Sequence, residues 1–358
     1  MNVLIFISAV GLILLMPPAG ILFTGGTLAP YLDFPPRPVI TSPPPFSAPV
    51  FLAFLVFILA SVLPFLRKTM AFKGRISSPK VRSLPVWGFA AFLGLAGFWV
   101  LAWTRWTWFS FFQPHTFFPL WLCWIIGVSA LTCRASGRCP MLDSPFRFAA
   151  LFLVSAVFWW VFEYLNRFVG NWHYSGSRYG PGAYFALATL SFSTVLPAVE
   201  TMKAYLLTFP RFSRGFREMP CLRALEFRWA GAGLVFASCL LLFLTGLFPE
   251  GLFFMIWICP FLIVLGSLVL SGRRHAFAGV KNGDYTLVVA YAAASLICGF
   301  FWEMFNFYSL ARWQYTIPYV QVFHLFEMPV LGYAGYLPFG LECGIISGLV
   351  LNSRRGRP

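Results

Sequence analysis

Apolar residues run in blocks of about twenty along the whole chain, the length a helix needs to cross the hydrocarbon core of a bilayer. The blocks lie near residues 3–23, 49–66, 85–104, 117–133, 147–169, 183–207, 229–247, 252–271, 285–308 and 330–351. They predict an all-α fold, a polytopic membrane helical bundle of about ten transmembrane helices. The stretch from Met1 to Met16 has no basic n-region, and Pro17-Pro18 follows where a small-residue cleavage site would stand, so the first block reads as a span.

Composition excludes a soluble fold: of 358 residues 59% are hydrophobic and 10% charged, against roughly 25% charged in soluble globular chains. The net charge of +15 does not point to nucleic acid, because the 26 Lys and Arg are spread over short loops and form no single stripe. Taken alternately, those loops place 21 of the 26 on one side, and only Arg37, Arg105, Arg167, Arg178 and Arg312 on the other. Basic short loops stay in the cytoplasm, so both termini are expected there, in an inner (cytoplasmic) membrane of bacterial type. On the outer side, Pro30–Pro49 holds eight prolines in twenty residues and reads as an extended lid or spacer. The aromatic-rich turn from Gly97 to Phe118 reads as an interfacial belt, with a ligand-lining role as the alternative.

Self-comparison finds an internal repeat. Trp160, Glu163 and Asn166 end one span, Trp172-His173-Tyr174 follows outside, and Leu196-Pro197 with Glu200 sits in the next span. Trp302, Glu303 and Asn306, then Trp313-Gln314-Tyr315, then Leu337-Pro338 and Glu342 repeat that order. Upstream, Trp121-Leu122-Cys123 and Trp257-Ile258-Cys259 also correspond. The expected units are 85–207 and 229–351, four spans each and parallel, so a parallel internal four-helix repeat follows an N-terminal two-span addition, 1–84.

Five acids fall within or at the edge of spans: Glu163, Glu200, Glu303, Glu327 and Glu342. An ionisable group at such depth is costly and is a functional candidate by default. Glu163 with Asn166, and Glu303 with Asn306, are three apart and share a helical face. Glu163 also has Arg167 at i+4, so a structural ion pair stands beside a site role, whereas Glu303 has no partner in its helix and is the first candidate. Glu200 precedes Lys203 by three and falls deep toward the basic-loop side, so one shared site would require broken helices near Pro197 and Pro338. His324 and Glu327, also three apart, suit a proton relay or one edge of a metal site. With four His in the chain, no histidine box for iron exists. Cys133 and Cys139, with five residues between them, read as a reduced pair and not as zinc ligands. Aspartate-rich magnesium motifs, G-x-S-x-G and phosphate-binding glycine loops are missing. No metal and no cofactor is expected.

The order of a polar residue ending one span, an outer W-x-Y and then L-P-x-x-E resembles the repeated motif of small integral-membrane lycopene cyclases. Glu163, Trp172, Tyr174, Pro197 and Glu200 carry it, and again Glu303, Trp313, Tyr315, Pro338 and Glu342. It covers two helix pairs, about a quarter of the chain. One Glu follows each Pro where the family usually has two acids, the second spacing is one residue longer, and extra spans are present. The resemblance implies carotenoid-biosynthesis-type chemistry on a lipid or isoprenoid.

An enzyme of this kind would use Glu303, Glu342, Glu163 and Glu200 as acids and bases, with Asn166 and Asn306 orienting them. Trp172, Tyr174, Trp313, Tyr315, His324 and Glu327 would contact substrate, and aromatic faces would steady a carbocation. The expected partners are the bilayer and a membrane lipid or isoprenoid, with no nucleic acid. A proton-coupled transporter or permease is the competing reading, since repeats and intramembrane carboxylates serve transport equally. A non-catalytic membrane scaffold is the third.

Overall fold

The computed structural model describes residues 3–36, 42–73, 82–176 and 179–351. In chain order the helices are α1 (Val3–Phe23), α2 (Ala48–Ala71), α3 (Val86–Trp103), α4 (Phe117–Ser136), a short α5 (Pro140–Asp143) and α6 (Pro145–Val169). Strand β1 (Trp172–Ser175) follows, then α7 (Pro181–Phe192), α8 (Val195–Leu206), a short α9 (Pro210–Arg214), α10 (Arg228–Leu247) and a short α11 (Pro249–Leu252). The chain continues through α12 (Cys259–Leu270), α13 (Thr286–Phe307), β2 (Arg312–Tyr315), β3 (His324–Leu325), β4 (Met328–Pro329) and α14 (Tyr336–Leu351). Among the described residues nine helices are long and apolar enough to cross a membrane, or ten if a bent pair counts as one span. The architecture is an all-α helical bundle whose long apolar helices are of the kind found in multi-pass integral membrane proteins, and each predicted span has its helix.

Local sequence explains where the helices stop and break. Gly137 and Gly170 close α4 and α6 in the left-handed region, at φ 77° and 63°, where only glycine is unstrained. Between α7 and α8 the chain breaks at Ser193-Thr194. In an unbroken helix the Leu196 amide would donate to the Phe192 carbonyl; here the Ser155 hydroxyl of α6 stands between them. It accepts from Leu196 N at 3.0 Å and donates to Phe192 O at 2.6 Å. A break inside the apolar layer is tolerable because a neighbouring helix satisfies the freed groups. Pro197 then sits in the first turn of α8, where its missing N–H costs nothing. Pro338 occupies the same place in α14, after a 3₁₀ turn over Val330–Gly335. The first of these two spans is therefore interrupted before its proline, whereas the second passes from 3₁₀ to α without a gap. The bent pair, Pro249–Trp257 and Cys259–Leu270, meets at 51° just ahead of Pro260.

Helices α6, α8, α13 and α14 form the centre, with α8 packed on α13 and α14 on α6. The pairs α3/α4 and α10/α12 flank them, and α1 packs on α10 and α12. The α1–α10 crossing is set by glycine: a Cβ on Gly20 would run into the Phe243 carbonyl oxygen, and one on Gly246 into that of Pro17. Small residues at such crossings let backbones approach closely where lipid offers no hydrophobic drive to associate. Among the long helices described, α2 differs in having no buried residue.

Candidate functional site

The site is organised at the loop end opposite the basic loops, by two asparagines. Asn166, in the last turn of α6, donates from Nδ2 to Trp172 O at 2.7 Å and accepts from Trp172 N at 3.3 Å. Asn306, in the last turn of α13, does the same with Trp313, at 2.8 Å to O and 2.9 Å from N. Each carboxamide thus acts as a strand partner and fixes where a W-x-Y segment begins. The two segments pair antiparallel as β1 and β2, with Trp172 opposite Tyr315, His173 opposite Gln314, and Tyr174 opposite Trp313. The Thr316 amide extends the ladder by donating to Asn171 O at 2.9 Å. Because strand side chains alternate, Trp and Tyr of each segment share the face that looks back into the bundle.

On that face each Tyr meets the carboxyl group one turn below its asparagine. Glu163 Oε1 accepts from Tyr174 Oη at 2.6 Å, Trp159 Nε1 at 3.0 Å and Trp172 Nε1 at 3.1 Å. Glu303 Oε1 accepts from Tyr315 Oη and from Tyr336 Oη, both at 2.7 Å. Tyr315 Oη in turn accepts from Trp313 Nε1 at 2.9 Å. Glu303 Oε2 is buried with no hydrogen-bond partner among the described residues. Glu163 is 3% exposed and Glu303 fully buried, so neutral aromatic donors take the place of water. Burial, and then the carboxyl group beside each, hold the Tyr174 and Tyr315 hydroxyls well above the ordinary phenol value, so both remain donors at neutral pH.

These groups border a cavity of 1460 Å³. Its polar end carries Glu163, Asn166, Trp172, Tyr174, Tyr315 and Tyr336; its long apolar walls come from α2 and α13. Phe54, Phe57, Ile58, Ser61, Val62, Phe65, Leu66 and Thr69 of α2 line it at alternating steps of three and one, a single stripe about 22 Å long at ~1.5 Å per residue. Val288, Val289, Ala292, Ala293 and Leu296 of α13 also line it. Pro35 and Pro36 of the proline-rich loop line it as well. That loop is held by Arg167 Nη1, which donates at 2.7 Å to both Tyr31 O and Asp33 O. Arg37, within the same loop, falls outside the described residues, as do Arg178 and the basic C-terminal run.

The sequence candidates separate accordingly. Glu163, Asn166, Trp172 and Tyr174 come together, as do Glu303, Asn306, Trp313 and Tyr315. Arg167 reaches the Tyr31 and Asp33 carbonyls, and the i+4 ion pair with Glu163 is not formed. Trp160 turns away and donates to Thr189 Oγ1 at 2.9 Å; its neighbour Trp159 serves Glu163. Glu200 lies near the basic-loop end, held by Lys203 Nζ at 2.6 Å and Tyr291 Oη at 2.7 Å. Glu342 is buried, 4% exposed, and its Oε2 has no partner among the described residues. Neither Glu200 nor Glu342 lines the cavity. His324 is exposed on the β3–β4 hairpin and Glu327 pairs with Arg312 at 3.6 Å, so these two do not join the site. Of the aromatic turn, Trp106, Trp108, Phe111 and Phe112 are exposed, whereas Phe117 and Phe118 line the cavity. Cys133 and Cys139 lie side by side as free thiols, 2.7 Å between sulfurs. Among the described residues no three of His, Cys, Asp or Glu are grouped as metal ligands would be.

Trp159, Tyr336 and the lining stripe of α2 escaped sequence reasoning. Trp159-Trp160 offered two indoles, and only the helix rotation chooses between them; i−4 spacing from Glu163 is the signal that favours Trp159. The chain matches no protein-family model, no curated protein and no solved structure.

Proposed function

We propose that the protein is a membrane-embedded enzyme that performs acid–base chemistry on a lipid or isoprenoid, of the isomerase or cyclase kind implied by its resemblance to membrane lycopene cyclases. The observation that carries this reading is the Glu163 carboxyl group set in the wall of a large apolar cavity, hydrogen-bonded by three neutral donors on one oxygen. Such a group is positioned, shielded from water and open to a bound hydrocarbon, as proton transfer to or from carbon requires. Indole and phenol faces around it suit a developing carbocation. Moving a proton on and off one molecule leaves its oxidation level unchanged, so the chemistry proposed here calls for no cofactor.

We read residues 85–207 and 229–351 as two copies of one four-span unit. The support is the matched Asn–Trp brackets, the matched Tyr–Glu bonds, and a β1–β2 register that turns each W-x-Y onto the other about a two-fold axis between His173 and Gln314. The basic loops favour cytoplasmic termini.

The test compares total lipid extracts of a host expressing the wild-type chain with extracts from Glu163→Gln and Glu303→Gln at matched membrane levels. A product present with wild type and reduced about 10²- to 10⁴-fold in the variants is expected. Indistinguishable extracts from a host supplied with varied isoprenoids would overturn the enzyme reading, and a pH-gradient-dependent flux lost in Glu303→Gln would replace it with transport.

A further inference from the structure

The two carboxyl groups obtain their inner donor from different helices. Four residues before Glu163 stands Trp159, whose indole donates to it. Four residues before Glu303 stands Gly299, and a Cβ there would overlap the ring of Tyr336. Tyr336 immediately precedes Leu337-Pro338; the residue before Leu196-Pro197 is Val195. A Trp/Val pair in one half is thus a Gly/Tyr pair in the other, the tyrosine ring filling the space that glycine leaves.

The exchange changes the chemistry available. An indole N–H only donates, whereas a phenol hydroxyl can donate and accept at once, which is what passing a proton onward requires. Access differs in the same sense. Glu163 borders the cavity itself, but Glu303 does not, and the groups that join it to the cavity are the hydroxyls of Tyr315 and Tyr336. Tyr315 Oη already accepts from Trp313. Tyr336 lines the cavity, and its Oη donates to Glu303, lies beside the Tyr315 hydroxyl and has no donor bonded to it among the described residues.

We propose that Tyr336 is a catalytic residue, its hydroxyl relaying a proton between the bound substrate and Glu303, a relay that the Glu163 half lacks. The inference rests on the acid–base reading above. In the forward step the protonated Glu303 turns its O–H to Tyr336 Oη, and Tyr336 turns its own O–H from Glu303 to the substrate. The Glu303 O–H bond then breaks, that proton passes to Tyr336 Oη, and the original Tyr336 proton is delivered to an alkene carbon, leaving a carbocation and a carboxylate. In the closing step a C–H bond at a neighbouring carbon breaks and its electron pair forms the new double bond. Its proton goes to Tyr336 Oη as the Tyr336 proton returns to Glu303. The cycle ends as it began, with no oxidant or reductant.

The test uses membranes bearing the full chain, incubated in D2O, with deuterium in the neutral-lipid extract and product formation both read by mass spectrometry. Tyr336→Phe should lower both about 100-fold or more, whereas Trp159→Phe should lower them about tenfold or less. Gly299→Trp combined with Tyr336→Val rebuilds the other half's arrangement, filling the same space and restoring an indole donor. It should accumulate in the membrane and melt like wild type, yet incorporate no deuterium. Wild-type incorporation in Tyr336→Phe, or in the rebuilt variant, would overturn the relay. If the wild-type chain itself neither incorporates deuterium nor forms product, the acid–base reading fails and the relay with it.

Discussion

Glu163 and Glu303, toward the strand-bearing end, each take a phenol donor from a neighbouring β-strand, and an asparagine one turn away fixes that strand. Glu200 and Glu342, toward the basic-loop end, have no such apparatus: one takes a lysine from its own helix and a tyrosine from α13, and the other's Oε2 takes nothing. All four are buried acids of similar sequence context. What separates them is the chemistry of the partner. Lysine neutralises a charge in place, which is a structural solution, whereas neutral donors grouped on one oxygen hold a carboxyl group open to exchange of its proton.

The largest expected effect that would break this contrast lies at the basic-loop end. Among the described residues Lys203 is the one cation bonded to Glu200, whose side chain is 2% exposed, and Lys203→Ala should cost about 3 kcal/mol in thermal unfolding from detergent. Adding Glu200→Gln to that variant should restore most of the loss; a single variant that melts like wild type would mean that the ion pair contributes no stability. Glu342→Gln, by contrast, should leave the melting temperature nearly unchanged, because no cation or donor is lost.

At the strand-bearing end, Asn306→Ala removes two bonds to the Trp313 backbone and should cost about 2 kcal/mol. It should also lower product formation, because Tyr315 is then no longer held against Glu303. Asn166→Ala should behave alike, and an effect confined to one of the two would argue against reading the halves as copies. A smaller loss, about 1 kcal/mol, is expected for Ser155→Ala, which leaves the Leu196 amide and Phe192 carbonyl at the α7–α8 break without their bridge.

The smallest effect concerns His275, in the loop between α12 and α13. Burial lowers its pKa below 6.5, so the fold holds the neutral ring. The folded state then binds fewer protons than the unfolded one near that pH. The stability His275 contributes is present above 6.5 and is lost as pH falls through the lowered value. His275→Gln should flatten the acid side of a stability profile between pH 7 and 5 and leave the neutral region unchanged; an unaltered acid limb would assign the dependence elsewhere.

The spans were legible because a run of about twenty apolar residues states its own length, and the predicted blocks coincide with the helices to within a few residues. Half of the site was legible too. Glu163 with Asn166 and Glu303 with Asn306 share faces by helical arithmetic, and W-x-Y implies one strand face. The antiparallel pairing of the two W-x-Y segments was not legible, since it joins residues 141 apart whose meeting depends on how α6 and α13 cross. Nor was the rotation that selects Trp159 over Trp160. Tyr336 was hidden by the same limit: the space it fills is made by a glycine 37 residues earlier, on another helix. Depth decided the rest, because Glu200 and Glu342 follow the motif in sequence yet lie along helices that carry them away from the strands.

Helix α2 carries a further consequence. It is tied near its ends, by Phe51 against Phe323 and Phe54 against Phe254 on one side and by Phe65 against Tyr285 and Lys68 against Glu218 on the other. Between these ties it stands off the body and leaves its lining stripe facing open apolar space. In a bilayer that space would border acyl chains, and the wall between the chamber and the surrounding lipid would be one helix thick. The behaviour of this protein is then a property of chain and membrane together, to be compared across bilayers of different thickness and fluidity and not only across variants.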